Sequence, residues 1–300
     1  MRALVEPTDE PEITHERPWS TVLRVPVDGG VVWFKECNAV QRFEPRLSAT
    51  LAERAPDLVA AVLGHDEERA WILFEDAGLP IAVSGNPPEA WLEVLPRYAE
   101  LQRAETVHVD DHVQHGVPDL RLPALPGRYD DMLSRDLPIG PDEVECLRRF
   151  GQAFAELCDE LAAHGVPPSI QHDDLHMANV YDDAGRLRIL DWGDSSVAHP
   201  FFSLVVPFRF LEEQNGLDPN DPWFDRLRAA YLEPWGVGLD SALRLAERVG
   251  RFAHVFAWIR QRDFLDAPAR GEFDTWFPLV LRRAVEAAQP RVSRLRSSAS

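Results

Sequence analysis

Residues 170–193, IQHDDLHMANVYDDAGRLRILDWG, concentrate the side chains of this protein that could do chemistry. His172, Asp174 and Asn179 stand in the order H-x-D-x-x-x-x-N, and a short polar turn leads on to Asp191-Trp192-Gly193. A carboxylate such as Asp174 can accept the proton of an attacking hydroxyl. An amide oxygen (Asn179) and a second carboxylate (Asp191) are hard donors suited to magnesium on ATP phosphates. The chain must bring these groups together, and its pattern indicates how. Residues 178–181 and 186–190 are apolar-rich runs joined by Asp-Asp-Ala-Gly, which predicts a hairpin whose outer ends lie side by side. Asn179 and Asp191 then fall at the same end, where one cation could be shared.

The stretch resembles the catalytic and metal-binding loops of the aminoglycoside phosphotransferase family, in which H-x-D-x-x-x-x-N is followed by a hairpin and D-W or D-F-G. These are small-molecule kinases of the protein-kinase-like fold. The resemblance implies that Asp174 is the catalytic base, that His172 is a structural member of the catalytic loop, and that Asn179 and Asp191 are the magnesium ligands. Asp173 departs from the pattern, standing where the family often has Gly or Asn, and its expected effect is on local charge. Two other readings stand beside this one. His172, Asp173 and His176 could ligate a metal in a phosphohydrolase, and a silent nucleotide-binding pseudokinase could carry similar loops. Retention of the lysine, glutamate, base and metal ligands argues against the silent form.

With 300 residues, 45% of them hydrophobic, the chain can bury a core large enough for one large domain or two lobes. A net charge of −19 argues against a nucleic-acid partner, because phosphate binding needs a basic surface. The same charge suits a cationic substrate or serves solubility. Cys37, Cys146 and Cys158 form no C-x-x-C pair and read as free thiols of a reducing compartment. No apolar leader or membrane-length apolar run is visible, so a cytoplasmic protein without a membrane partner is expected.

The elements that must position the motif follow in order. Runs 21–26 and 31–36 predict a hairpin around Val27-Asp28-Gly29-Gly30, and Lys35 shares a strand face with Trp33. Phe43, Leu47 and Leu51 repeat at helical spacing with Pro45 in the first turn. By resemblance Lys35 reaches the ATP phosphates and Glu44 is the helix glutamate that holds it. The glycine-poor turn Arg17-Pro18-Trp19-Ser20-Thr21 stands where the family's phosphate-covering loop would be, making Ser20 and Thr21 candidates. The apolar run 70–74 predicts a buried strand. By resemblance Phe74, Glu75 and Ala77 would belong to a hinge at the adenine edge.

Beyond that hinge the pattern turns helical, with helices predicted from 88, over 141–164, over 243–263 and over 276–288. Residues 107–128, rich in His, Asp and Pro, read as a polar loop rather than a metal site. The acidic residues Glu212, Glu213, Asp218, Asp221 and Asp225, with Arg260 and Asp263, read as a solvated face, with an acceptor-pocket lining as the other reading. Ser203 stands where many relatives have an aspartate steadying the catalytic-loop backbone. The segment after Asp191-Trp192-Gly193 has no A-P-E triplet, which argues against a protein substrate. The Ser/Arg-rich end from about 290 reads as a mobile tail.

The resemblance implies an α+β, bilobal protein-kinase-like fold, with an N-lobe over 1–76 and a C-lobe over 77–300. The expected cofactors are ATP and Mg²⁺. The expected acceptor is a small hydroxylated molecule: an aminoglycoside or other cationic antibiotic, an amino sugar or a choline-like metabolite. The sequence leaves the choice among these, the role in resistance or metabolism, and the oligomeric state open.

Overall fold

The computed structural model describes residues 5–183 and 185–289, so the tail expected from about 290 lies outside the described residues. The N-terminal part is an antiparallel sheet of β1 (Glu12–Arg17), β2 (Ser20–Val27), β3 (Gly30–Cys37), β4 (Val62–Asp66) and β5 (Trp71–Glu75), in spatial order β1-β2-β3-β5-β4. Helix α1 (Glu44–Arg54) lies between β3 and β4 in sequence. The β2–β3 hairpin forms where the alternation and the Asp-Gly turn predict it, with Gly29 at φ 83° in the conformation such a turn requires. Two strands were not legible. The residues of β1, EITHER, are all exposed and have no apolar face. The register of β4 shifts between Val62 and Gly64, which breaks its alternation.

Short β6 (Leu79–Pro80) carries the chain into the helical part. There follow α2 (Pro88–Glu105), α3 (Val109–Gln114), β7 (Asp119–Leu120), α4 (Leu125–Leu133), α5 (Pro141–Ala163), β8 (Ser169–Gln171), β9 (Val180–Asp183), β10 (Arg186–Ile189) and β11 (Ser196–Ala198). The chain closes with α6 (Val205–Asn215), α7 (Pro222–Leu232), α8 (Asp240–Phe264), α9 (Ala267–Phe273) and α10 (Phe277–Ala288). The predicted helices correspond to α2, α5, α8 and α10. The apolar stripe of α5, including Leu147, Phe154, Cys158 and Leu161, is buried in a core that also takes in Trp91 and Tyr98 of α2 and Phe252 of α8. Leu47 and Leu51 of α1 join the same core, so α1 packs on the helical part as well as following the sheet.

Residues 107–128 are not the irregular loop expected. They form α3, β7 and the start of α4, elements too short for a clear period. Burial at one point organises them. His112 Nε2 lies 2.7 Å from Glu105 Oε2, and Arg54 Nη1 donates to the same oxygen at 2.8 Å. The acidic residues further on are engaged with neighbours: Glu212 and Glu213 pair with Arg283, Asp225 with Arg228 and Arg244, and Asp263 with Arg135. Asp221 caps α7 by accepting from the Trp223 N–H.

Candidate active site

Helix α5 stops at Gly165, whose φ of 69° lets the chain turn out of the helix, and β8 delivers residues 172–179 to the surface of the core. The loop is anchored from beneath. Gln102 Nε2 donates to Ile170 O at 2.9 Å and to Ser203 Oγ at 3.0 Å, Tyr98 OH lies 3.2 Å from Ser203 Oγ, and the His172 N–H donates to Tyr98 OH at 2.9 Å. Support of the loop backbone therefore comes from α2 tyrosine and glutamine side chains, with Ser203 as the joint between them. No sequence signal singled these out, because Tyr98 and Gln102 sit in an ordinary helical stripe.

His172 joins this loop to the hairpin. Its Nε2–H donates to Leu190 O at 2.8 Å, its Nδ1 accepts from the Asp174 N–H at 3.3 Å, and Trp192 packs against it with ring centroids 4.8 Å apart. Burial pushes the His172 pKa down, in keeping with a neutral ring that uses both nitrogens. Asp173, at φ 62°, is buried and turned away from solvent, with its carboxylate held by Gln171 Nε2 and Ser196 Oγ. The histidines and Asp173 are thus committed to separate hydrogen bonds. Among the described residues no group of three His, Cys, Asp or Glu is placed to hold a metal ion, which removes the geometric basis of the His172/Asp173/His176 metal cluster.

The β9–β10 hairpin pairs Val180 with Ile189 and Asp183 with Arg186, and the Leu190 N–H donates to Asn179 O at 3.0 Å. Asn179 and Asp191 therefore stand at its open end, as the alternation predicts. The Asn179 amide nitrogen donates to the Asp174 carbonyl at 2.9 Å and to Asp174 Oδ2 at 3.2 Å, which leaves its side-chain oxygen as the free donor atom for a cation. Asp191 adopts φ 65°, an uncommon conformation for a residue with a side chain, which marks a position held against strain.

From the sheet, Lys35 Nζ donates to Glu44 Oε1 at 2.8 Å, to Glu44 Oε2 at 2.7 Å and to Asp191 Oδ1 at 2.5 Å. One buried ammonium thus links β3, α1 and the Asp-Trp-Gly turn. Burial works against that charge, but Asp191 and Glu44 outweigh it and hold the lysine pKa well above its ordinary value. Burial likewise opposes ionisation of Asp191, and Lys35 outweighs it to keep the pKa low. Glu44 is fully buried, and burial holds its pKa up against the pull of Lys35. Gly193 permits this approach, since a Cβ there would lie 2.7 Å from Glu44 Oε2 and 2.6 Å from Gln41.

Two cavities flank this centre. One, of about 430 Å³, lies between the sheet and the hairpin and is lined by Ser20, Val22, Trp33, Lys35, Phe74, Ala77, Tyr181, Asn179 and Asp191. Its wall combines apolar side chains (Val22, Trp33, Phe74, Tyr181) with the polar groups of Lys35, Asn179 and Asp191, a mixture that ligand sites share. Of the sequence candidates, Ser20, Phe74 and Ala77 reach it. Thr21 alternates to the other face of β2, and Glu75 is exposed with its N–H donating to Ala61 O at 3.0 Å, so neither side chain is brought to this cavity. Thr14 and His15 of the unexpected strand β1 are also in its wall.

The second cavity, about 410 Å³, opens on the far side of Asp174 and Asp173 and is lined by Trp19, Asp194, His254, Trp258, Gln261, Phe273 and Trp276. His254, Ala257, Trp258 and Gln261 follow helical spacing along one side of α8, the only trace of this wall in the sequence. Burial raises the pKa of Asp194 to about 7, with Asp174 adding to the effect, and Gln261 Nε2 donates to its carboxylate. Beside Asp174, burial opposes ionisation, yet His176 pulls the pKa below the ordinary carboxylate value.

This arrangement, a β-sheet and one helix over a helical body with the 172–179 loop and the β9–β10 hairpin between, is the two-lobed protein-kinase-like fold expected from the sequence. Solved structures that share it include the choline kinase LicA from Streptococcus pneumoniae, with a TM-score of 0.62, 13% identity and 89% of each chain covered. A choline/ethanolamine kinase family protein from Mesorhizobium loti superposes with a TM-score of 0.60 at 15% identity, over 96% of this chain and 95% of that one. Aminoglycoside 2'-phosphotransferase-IIIa, in a GDP complex, gives a TM-score of 0.59 at 15% identity, over 91% and 93% of the two chains. No protein-family model matches the chain, and no curated protein matches it in sequence.

Proposed function

We propose that this protein transfers the γ-phosphoryl group of ATP to a hydroxyl of a small cationic molecule. The observation that carries the reading is the meeting, at the open end of one hairpin, of the Lys35–Asp191 and Asn179–Asp174 pairs, with a nucleotide-sized cavity on one side and a separate acidic and aromatic cavity on the other. In this reading Lys35, held by Glu44, binds the phosphates. Asp174 orients the acceptor hydroxyl and takes its proton as the oxygen–phosphorus bond forms. Asn179 and Asp191 are the residues that would hold Mg²⁺, whose contribution is to neutralise phosphate charge, and their oxygen donors suit it. His172 fixes the loop to the hairpin. Ser20, Phe74 and Ala77 line the cavity and would contact the bound nucleotide.

The choice of a cationic acceptor rests on the second cavity. Trp19, Trp258, Phe273 and Trp276 offer aromatic faces that suit ammonium groups, and Asp174 offers a carboxylate in a wall that also carries Arg17 and Asp194. The comparison proteins include kinases named for choline, ethanolamine and aminoglycosides, all within that chemistry. In this reading the chain divides into an N-lobe over 1–76 and a C-lobe over 77–300, with the hinge near Glu75 to Gly78.

The test is ATP consumption with Mg²⁺ across a panel of aminoglycosides, amino sugars and amino alcohols, beside an Asp174→Asn variant and a chelator control. Turnover that needs both Asp174 and the metal supports the reading. Absence of ATP binding by calorimetry would sink it.

A further inference from the structure

His176 has no part in the reading above, yet it is the side chain that pairs with Asp174. It lies two residues further along the same loop, and its two ring nitrogens face different partners. The backbone N–H of Ala178 donates to Nδ1 at 3.1 Å. A nitrogen that accepts a hydrogen bond carries no proton, so in the neutral imidazole the proton is on Nε2. That nitrogen lies 3.2 Å from Asp174 Oδ2. The ring is also held from outside the loop, since Phe210 of α6 packs against it with centroids 4.7 Å apart at 33°.

Asn179 Nδ2 donates to the same Oδ2 at 3.2 Å, and its 3.4 Å approach to His176 Nε2 is that of two donors converging on one acceptor. The two oxygens of Asp174 are therefore unequal. Oδ2 accepts from Asn179 Nδ2 and lies 3.2 Å from His176 Nε2, within ion-pair reach, whereas no hydrogen bond to Oδ1 occurs among the described residues. We propose that His176 is a positioning residue: by donating its Nε2–H to Oδ2 it fixes the Asp174 carboxylate so that Oδ1 is the oxygen that receives the acceptor's proton. The inference rests on the phosphotransfer reading for its consequence, while the pairing itself stands on the geometry of the loop.

Two measurements test it. The first compares His176→Gln, whose amide can present an N–H near the place of Nε2, with His176→Ala. General-base proton transfer is worth about 10²–10⁴-fold, and loss of orientation forfeits part of that, so kcat in the alanine variant falls about tenfold or more. The KM for ATP stays within about twofold in both variants, and glutamine recovers most of the lost kcat. A merely structural role would impair both variants alike or raise the KM for ATP. Either of those outcomes, or an alanine variant with wild-type kcat, overturns the proposal. The second measurement is the ¹⁵N spectrum of the His176 ring at pH 8. The proposal requires the Nε2–H tautomer and a shift of that resonance in Asp174→Asn, and an Nδ1–H tautomer overturns it. Because this readout needs no turnover, it decides the pairing even if no acceptor is phosphorylated, which would count against the phosphotransfer reading alone.

Discussion

The phenol oxygen of Tyr98 accepts the backbone N–H of His172 at 2.9 Å, so a residue in the middle of α2 holds the first residue of the loop that carries Asp174. Both residues are fully buried, and no water can replace the bond without opening the core. The arrangement supplies what an aspartate at position 203 would have been expected to provide, with Ser203 serving Tyr98 and Gln102 instead. Tyr98→Phe keeps the packing and removes the acceptor. A buried N–H left without a partner costs about 1–3 kcal/mol. Urea denaturation is expected to show a loss in that range, together with a lower kcat from a looser loop.

The Lys35–Glu44 pair predicts a second asymmetry. Removing one member of a buried ion pair costs about 3–5 kcal/mol, because the other charge stays buried alone. Lys35→Met should fall in this range by chemical denaturation, since Glu44 has no exposed surface. Adding Glu44→Gln, which replaces the stranded carboxylate with a neutral amide, should recover part of the loss. ATP binding should be abolished in both, and a double variant no more stable than the single one would contradict the account.

Gly78 sits where the chain leaves the sheet. A Cβ there would lie 2.5 Å from the backbone oxygen of Asp182, and φ is 86°. Gly78→Ala must therefore push the hairpin away while holding a left-handed conformation that alone costs about 1–2 kcal/mol. The melting temperature is expected to drop and the KM for ATP to rise together, because Gly78 also borders the nucleotide cavity. A variant with unchanged melting would refute the close contact.

The buried groups around the loop make stability depend on pH in opposite directions. Burial raises the Asp173 pKa to about 7, so in the folded state it keeps its proton well above the pH at which the unfolded residue loses it. Its contribution is present at low pH and is lost as pH rises towards about 7. His199 and His254 behave conversely: burial lowers each to about 3, so their contribution is intact above the unfolded histidine pKa and is lost as pH falls from there towards about 3. Asp173→Asn removes the first dependence alone. Its melting temperature relative to the parent should therefore improve between pH 5 and pH 8, and a difference that is flat or falls over that interval would disprove it.

In the second cavity, which the proposal gives to the acceptor, Trp258→Ala removes an aromatic face and Asp194→Asn a carboxyl group. Cation–π contacts are worth about 0.5–2 kcal/mol, which corresponds to a rise in acceptor KM of about 2- to 30-fold for the tryptophan variant. The KM for ATP should not move in either variant. Equal effects on both substrates would place these residues in general stability rather than in acceptor binding.

Much of this architecture was legible because short-range rules govern it. The β2–β3 and β9–β10 hairpins follow from alternation and turn residues, α5 from an apolar stripe that ends at Gly165, and the grouping of Asn179 with Asp191 from the hairpin between them. The site was partly legible for the same reason: His172, Asp174, Asn179 and Asp191 lie within one continuous stretch. The strand β1 was not, since an edge strand exposed on both sides needs no apolar face, and residues 107–128 were misread because their order comes from a buried Arg54–Glu105–His112 contact.

Taken alone, the sequence determined the main hairpins and helices and the order of its chemical groups, because periodicity and turn chemistry act over a few residues, while the two-lobed plan came from the resemblance of one loop to a known family. Only the tertiary structure decided which groups meet: Lys35 with an aspartate 156 positions away, Tyr98 with the His172 backbone, and α8 with the loop that carries Asp174. Those contacts join residues distant in the chain, and what selects them is the burial of α2, α5 and α8 in one core, a property of the packed whole that no local pattern encodes.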